Sequence, residues 1–331
     1  VAFAEAAGAR VHAEILACEV NFPGDHPQWV SHIPPDESLA SMLMGGDTVV
    51  FVGCSTNTTL LAHESPLVAP DTTTIHVSQD AWEVGKNQHA DAAVVGDPGR
   101  VLGTLADRRG ERLPDDERQR RVDHVRTIGD SLSETIWALS EDDADKSETR
   151  PSKAALVDAL RETAPDAFVV DEGVTAKYPL LIRWAMDAEQ LLSNKGGGLG
   201  YGLPAAVGAA LAESLRPDPR TVVGYVGDGS YLYYPHAVYS AVRQGLDLTV
   251  VVPDNRTYRI LKDNTREIFG GTDADHDYVG MDFDPAVDLV KNAESHGATG
   301  HRVETPDGLE TTLADAIDSE GVDVVDVLVH D

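Results

Sequence analysis

The sequence predicts an α/β protein made of two parallel-sheet, three-layer domains. Short, largely β-branched apolar runs (DTVVFV, TTIHV, DAAVV, AFVV, TVVGYV, LTVVV and VDVVDVLV) alternate with segments long enough for helices. Runs of this kind are strands covered on both faces, and their alternation with helices means a mostly parallel sheet. The strand Thr221–Val226, the helix Pro235–Gln244 and the strand Leu248–Val252 make one βαβ unit, with Pro in the helix's first turn and Gly245 at its end. A strongly charged stretch, Arg108–Ser152, separates the two sets of elements.

Taken in order, Phe3–Ala7 reads as the end of a helix stopped by Gly8, and Arg10–Ile15 as a strand. Pro23, Pro27, Pro34 and Pro35 mark an irregular loop. Asp36–Met44 is a helix ended by Gly45-Gly46. Asp47–Val52, Thr73–Val77 and Asp91–Val95 are strands. ERLPDDERQRR reads as a surface helix and SEDDADKSETR as an exposed linker. Ser152 caps a helix to Thr163, followed by the strand Ala167–Val170 with Asp171-Glu172-Gly173-Val174-Thr175 at its carboxyl end. No clean strand is visible before the glycine cluster at Gly196, which opens a small-residue helix, Pro204–Ser214. Thr257–Gly271 reads as a mobile loop. The helices Pro285–His296 and Gly308–Ser319 and the strands His301–Glu304 and Val322–Val329 complete the chain. The expected domains are residues 1–108, a charged helix and linker over 109–151, and residues 152–331.

The 331 residues are 42% hydrophobic, as in a globular protein, yet carry a formal net charge of −30. The acidic residues are spread throughout. This pattern fits a halophile's cytosolic protein, whose surface stays solvated when salt screens the repulsion. It argues against nucleic-acid binding, which needs positive clusters. Cys18 and Cys54 lack metal or redox spacing and read as small buried hydrophobes, and Trp82 and Trp184 as core residues. No run is apolar enough to span a membrane and residues 1–17 do not read as a signal peptide, so a cytoplasmic location is expected.

Gly227-Asp228-Gly229-Ser230 follows one strand of the βαβ unit and Asn255 follows the other. Ligands bind beyond such carboxyl ends in open α/β sheets. A carboxylate and an amide oxygen beside glycine-freed N–H groups suit a hard cation carrying a diphosphate. The glycine cluster Gly196–Gly202 fits neither the G-x-G-x-x-G dinucleotide pattern nor a P-loop. It serves either as a turn before a tightly packed helix or as a place of close backbone approach.

Three motifs occur in order: GGLGYGLPAAVGAAL, VGDGSYLYYPHAVYSAVRQGLDLTVVVPDN and RTYRILK. Together they resemble the cofactor-binding domain of thiamine-diphosphate enzymes, nearest to benzoylformate decarboxylase and the acetolactate synthases. NFPGDHPQWVSHIPPD, DTVVFVG and ADAAVVGDP are similar to that family's Rossmann-like central domain. The resemblance implies thiamine diphosphate and Mg²⁺ as cofactors. Asp228, Asn255 and the backbone carbonyl of Thr257 would bind Mg²⁺. Gly229, Ser230 and Tyr258 would donate to the diphosphate, with Val174 and Thr175 opposite. Gly197 and Gly198 would meet the aminopyrimidine, and Leu199 would wedge the cofactor into its bent shape. The implied function is a lyase that decarboxylates a 2-oxo acid. An acetolactate-synthase-like carboligase and a cofactor-binding chain inactive by itself are the rivals.

The resemblance has departures. The family usually carries two asparagines where this chain has Asp254-Asn255, and it tends to be glycine-rich where Arg256 and Arg259 stand. These arginines could attract a substrate carboxylate, neutralise the diphosphate or sit at the surface. The family's first domain, which brings the glutamate that activates the cofactor, is expected to be missing, as is the first strand of the central domain. A homodimer, a homotetramer or a partner chain carrying that domain is therefore expected. His63 lies where some relatives place an active-site histidine, and reads as a plain loop residue.

Overall fold

The computed structural model describes all residues except 35, 56–62, 64, 111–112, 142–148, 195 and 331. The chain forms two compact units: Val1–Ala17 with Asn21–Thr135, and Cys18–Val20 with Ile136–Asp331.

In the first unit, α1 (Ala2–Ala7) ends at Gly8, whose φ of 62° puts it in the left-handed region open to glycine. Strands β1 (Val11–Glu14) and β2 (Trp29–Ile33) pair in parallel. The second of these lies in the proline-marked stretch expected to be irregular. Asp36 caps α2 (Glu37–Leu43) by accepting the Leu39 N–H. Strands β3 (Thr48–Val52), β4 (Thr73–Ser78) and β5 (Ala92–Val95) form a parallel sheet in that order, followed by α3 (Pro98–Gly110). Ile33, Ala40, Met44, Phe51, Leu67 and Val68 form its apolar core. Trp82 is not a core residue: it is 75% exposed. Cys18 and Cys54 are only half-buried, not the buried hydrophobes expected. Helix α4 (Asp115–Glu141) begins with Asp115, Asp116 and Glu117, as its N-terminal dipole favours, and continues from the first unit into the second. The charged linker expected beyond it falls largely outside the described residues.

The second unit continues with α5 (Lys153–Thr163), β6 (Phe168–Glu172), α6 (Lys177–Arg183), β7 (Leu191–Ser193), α7 (Gly202–Ser214) and β8 (Val222–Val226). Next come α8 (Asp228–Tyr231), α9 (Ala237–Gln244), β9 (Leu248–Asp254) and α10 (Arg259–Phe269). The chain closes with α11 (Leu289–Ser295), β10 (Thr299–Val303), α12 (Leu309–Asp318) and β11 (Val322–Leu328). Three expectations need correcting. A short strand, β7, does precede the glycine cluster, pairing with β6. The segment expected as a mobile loop is mostly helix α10, held by Arg259 and Arg266 converging on Asp263. Helix α11 starts later than expected because Asp288 caps it by accepting the Lys291 N–H.

All six strands are parallel, in the order β10-β11-β9-β8-β6-β7. Alternate residues feed opposite helical layers. Val169, Val223, Val251 and Val325 pack with Leu156, Leu160, Leu180 and Leu313. Val170, Val222, Val250 and Val324 pack with Leu203, Ala206, Val238 and Leu289. This two-sided covering explains why the strands read as continuous apolar runs. The chain leaves β6 toward one edge, through β7, and leaves β8 toward the other, through β9. The crevice beyond the carboxyl ends of β6 and β8 is thus the topological switch point, where ligands bind in such sheets.

Candidate functional site

Register brings two of the predicted segments side by side at that switch point. Glu172 is paired with Val226, so Gly173 follows one strand exactly where Gly227 follows the other, and the Gly227 N–H donates to the Glu172 carbonyl at 3.1 Å. Asp228 then opens α8. Its carboxylate accepts the Gly229 N–H at 2.8 Å and the Arg256 N–H at 2.7 Å. The Arg256 N–H is shared with the Asp254 carboxylate at 2.8 Å. Arg256 reaches this bridging position with φ of 59°, unusual for a residue with a side chain.

Asp228 and Asp254 are both buried, and Asp326 on β11 is fully buried beside Asp254. Burial, and then the Asp254 carboxylate, push the Asp228 carboxyl up to about 8. Burial and Asp254 also push Asp326 up to about 7, although Arg302 pairs with it at 3.0 Å. Crowded carboxylates in low dielectric favour either a retained proton or a cation. This is the observation by which the residues fit Mg²⁺. Among the described residues no group of three or more His, Cys, Asp or Glu could hold a metal. A cation at Asp228 would therefore need amide and carbonyl oxygens, the ligands a hard cation accepts. Asn255 and Thr257 supply both types. The Asn255 side-chain oxygen accepts the Thr257 N–H at 3.3 Å, and the Thr257 hydroxyl donates to the Met281 carbonyl at 2.9 Å.

Tyr258 lies against the same turn. Its N–H donates to the Met281 carbonyl at 2.8 Å, and its ring meets Phe283 edge-on at 4.8 Å between centroids. A Cβ on Gly229 would come within 2.5 Å of that ring, so glycine is required for the approach. Ser230 is buried and helps to lower the nearby Glu172 carboxyl. Val174 and Thr175 form a short 3₁₀ turn just beyond β6, and Val174 is held at φ of 54°, a strained conformation for a β-branched side chain.

The glycine loop is fixed at both ends from β6. Asn194 braces it internally, accepting the Gly196 N–H and donating to the Gly198 carbonyl, both at 2.6 Å. Gly197 has φ of 70° with open space where a Cβ would stand, and Leu199 is 52% exposed. At the loop's entry, Ser193 donates to Asp171 at 3.0 Å and accepts from the buried Lys177 ammonium at 2.6 Å. At its exit, Glu172 accepts the Gly200 and Gly202 N–H groups, each at 2.5 Å. Burial raises the Glu172 carboxyl, against the lowering effect of those donors. Glu172 thus joins the end of the glycine loop, through its carboxylate, to Gly227 just before Asp228, through its backbone carbonyl. No site role was expected from sequence for Asp171, Glu172, Asp254 or Asp326. The visible signal was a pair of acidic residues closing an otherwise apolar strand.

Arg259 is engaged with Asp263 at 2.8 Å, and His63 is exposed and bonded to the nearby Ser65 carbonyl at 2.8 Å. Trp184 is buried in the core, as expected.

Comparisons with known proteins show the family. The family profile described as "Thiamine pyrophosphate enzyme, central domain" matches residues 1–105, and "Thiamine pyrophosphate enzyme, C-terminal TPP binding domain" matches residues 175–327. A Mycobacterium tuberculosis protein named as an acetolactate synthase large subunit is 35% identical over 184 residues, covering 55% of this chain and 35% of that one. A Bacillus subtilis acetolactate synthase is 27% identical over 260 residues, covering 78% of this chain and 42% of that one. The solved thiamine diphosphate-dependent 4-hydroxybenzoylformate decarboxylase of Rhodococcus jostii superposes with a TM-score of 0.79 at 25% identity, covering 99% of this chain and 57% of that chain. The chain thus spans between about a third and somewhat over half of the length of these proteins. Matched by both profiles over most of its length and by the fold of a solved member, the chain belongs to the thiamine pyrophosphate enzyme family, of which it carries the central and the C-terminal domains.

Proposed function

We propose that the second unit holds Mg²⁺ and the diphosphate of thiamine diphosphate at the switch point, and that the enzyme decarboxylates a 2-oxo acid. The observation that carries this reading is the buried Asp228–Asp254 pair sharing one N–H at the carboxyl ends of β8 and β9. Asp228, the Asn255 side chain and the Thr257 carbonyl would hold the cation. Gly229, Ser230, Tyr258, Val174 and Thr175 would surround the diphosphate. Gly197, Gly198 and Leu199 would meet the rings. When bound, the cofactor supplies an electron sink for the bond broken beside the substrate's keto carbon. The chain's own residues orient it and exclude water. The Tyr258 ring closes over Gly229, and Phe283 backs it.

An acetolactate-synthase-like carboligase is favoured as a second reading by the names of the two relatives given above. A 2-oxo acid is the substrate class in both readings. Activity is proposed to need a glutamate supplied by a further domain or partner chain, in a homodimer, a homotetramer or a mixed assembly. The acidic composition supports a cytoplasm of high salt. Among the described residues no helix is long and apolar enough to cross a membrane.

Calorimetry of thiamine diphosphate with and without Mg²⁺ tests the cofactor site. Asp228→Ala is expected to abolish Mg²⁺-dependent binding, and unchanged binding would remove Asp228 from the site. Release of CO₂ without a carbon–carbon coupled product supports the lyase, whereas formation of a 2-hydroxy-2-alkyl acid supports the carboligase.

A further inference from the structure

Glu172 occupies a position that no cofactor contact explains. It ends β6, is buried, and connects three separate segments. Its two carboxylate oxygens take different donors of the glycine segment, the Gly200 and Gly202 N–H groups, each at 2.5 Å. Buried Ser230, two residues beyond Asp228, lies near enough to help lower the Glu172 carboxyl. Its backbone carbonyl accepts the Gly227 N–H at 3.1 Å. A Cβ on Gly202 would come within 2.6 Å of the Glu172 Cβ, so helix α7 can start here only with glycine. The Gly202 N–H belongs to the first turn of α7, where helical geometry leaves donors without intrahelical partners and favours negative charge. The carboxylate satisfies this donor and the Gly200 N–H just ahead of the helix at once, and each bond is charge-assisted.

We propose that Glu172 is a positioning residue, which locks the glycine loop carrying Gly197 and Leu199 to the turn carrying Asp228 and Ser230, so that both halves of the site are set before the cofactor arrives. The proposal rests on the reading of this site as one for thiamine diphosphate. It adds that affinity depends on a residue that need not touch the ligand. Preorganisation of this kind lowers the ordering cost that binding must otherwise meet.

Glu172→Gln keeps the shape but replaces one acceptor by a donor, so either Gly200 or Gly202 loses its partner. Two readouts on the full chain test this: calorimetric affinity for thiamine diphosphate at saturating Mg²⁺, and hydrogen exchange of the segment 194–204 without ligand. Glu172→Gln is expected to weaken cofactor binding about tenfold or more, from the loss of at least one buried charge-assisted bond. Exchange in 194–204 should quicken while exchange in β9 and β11 stays unchanged. Glu172→Asp keeps the charge but is too short to reach both donors, and should show the same pair of effects; it stands in if the glutamine variant does not fold. A lowered melting temperature with cofactor affinity unchanged within twofold would overturn the proposal and leave Glu172 a purely structural residue. Wild-type protein that binds no thiamine diphosphate would instead overturn the reading of the site on which the proposal rests.

Discussion

Asp228 and Asp254 accept the same backbone N–H, that of Arg256, at 2.7 and 2.8 Å. Two buried carboxylates held against one donor cannot both ionise cheaply. The Asp228 carboxyl is therefore pushed up to about 8 and Asp326, beyond Asp254, to about 7. Both folded values lie above the unfolded value of about 3.9. Between these limits the folded state keeps protons that the unfolded state has released, so stability falls as pH rises. His12, pushed down to about 4 by burial and Arg10, has the opposite sign, but its contribution is complete above about 6.5. From pH 6.5 to 8, cation-free protein should thus lose stability in urea, by up to about 1.4 kcal/mol per pH unit for each retained proton. Saturating Mg²⁺ should flatten that slope. A stability that stays level or climbs across the window without cation would refute the buried acidic pair.

Asp254→Asn separates the charge of Asp254 from its geometry. The amide oxygen can still accept the Arg256 N–H, but the repulsion against Asp228 and Asp326 is gone. At pH 8 the cation-free variant should be more stable than wild type by on the order of 1–3 kcal/mol, because one unpaired buried charge is removed. Its Mg²⁺ affinity, read by the metal's own calorimetric signal, should fall by about tenfold, since one negative charge near the cation has been lost. Equal Mg²⁺ affinity in the two proteins would show that Asp254 plays no part in holding the cation.

Gly229→Ala places a methyl group within 2.5 Å of the Tyr258 ring. The ring is backed by Phe283, and the Tyr258 main chain is held by its N–H donating to the Met281 carbonyl, so relief requires the turn to move. A stability loss of about 1–3 kcal/mol is expected from such overpacking. Tyr258→Ala should relieve it, and the double variant should lose less than the sum of the single losses. Strict additivity in a double-mutant cycle would mean that the two residues do not press on one another.

The central strands of the second unit were legible because they are covered on both faces and read as unbroken apolar runs, as Val222–Val226 does; Ala92–Val95 was legible from its apolar run alone, for all four of its residues are exposed. Asp228 and Asn255 were legible because a βαβ unit fixes which residues follow two neighbouring strands. Strand β7 was not: three residues, Leu191–Ser193, carry too little pattern, and pairing with β6 supplies what propensity lacks. Helix α10 was hidden by its polar residues, yet Arg259, Asp263 and Arg266 fall at helical spacing and pair. The Glu172 clamp joins residues 28 to 30 positions apart, a relationship that no local pattern contains. The sharing of one N–H by Asp228 and Asp254 depends on the backbone of Arg256 turning left-handed, and sequence alone gives no sign of it.

Val174, at φ of 54°, is the other non-glycine residue that bends beside the site, on the β6 side. A β-branched side chain in this region crowds its own backbone and costs about 1–2 kcal/mol. Glycine would remove that strain but adds freedom to the unfolded chain worth about 0.5–1 kcal/mol. Because the side chain is only half-buried, little packing is lost with it. Val174→Gly should therefore leave stability unchanged or raise it by up to about 1.5 kcal/mol, the difference between these two terms. The same substitution at Val157, fully buried in α5, should cost more than about 2 kcal/mol through cavity and helix effects. Urea unfolding of both variants checks the contrast. A loss at Val174 as large as that at Val157 would show that this turn stores no strain.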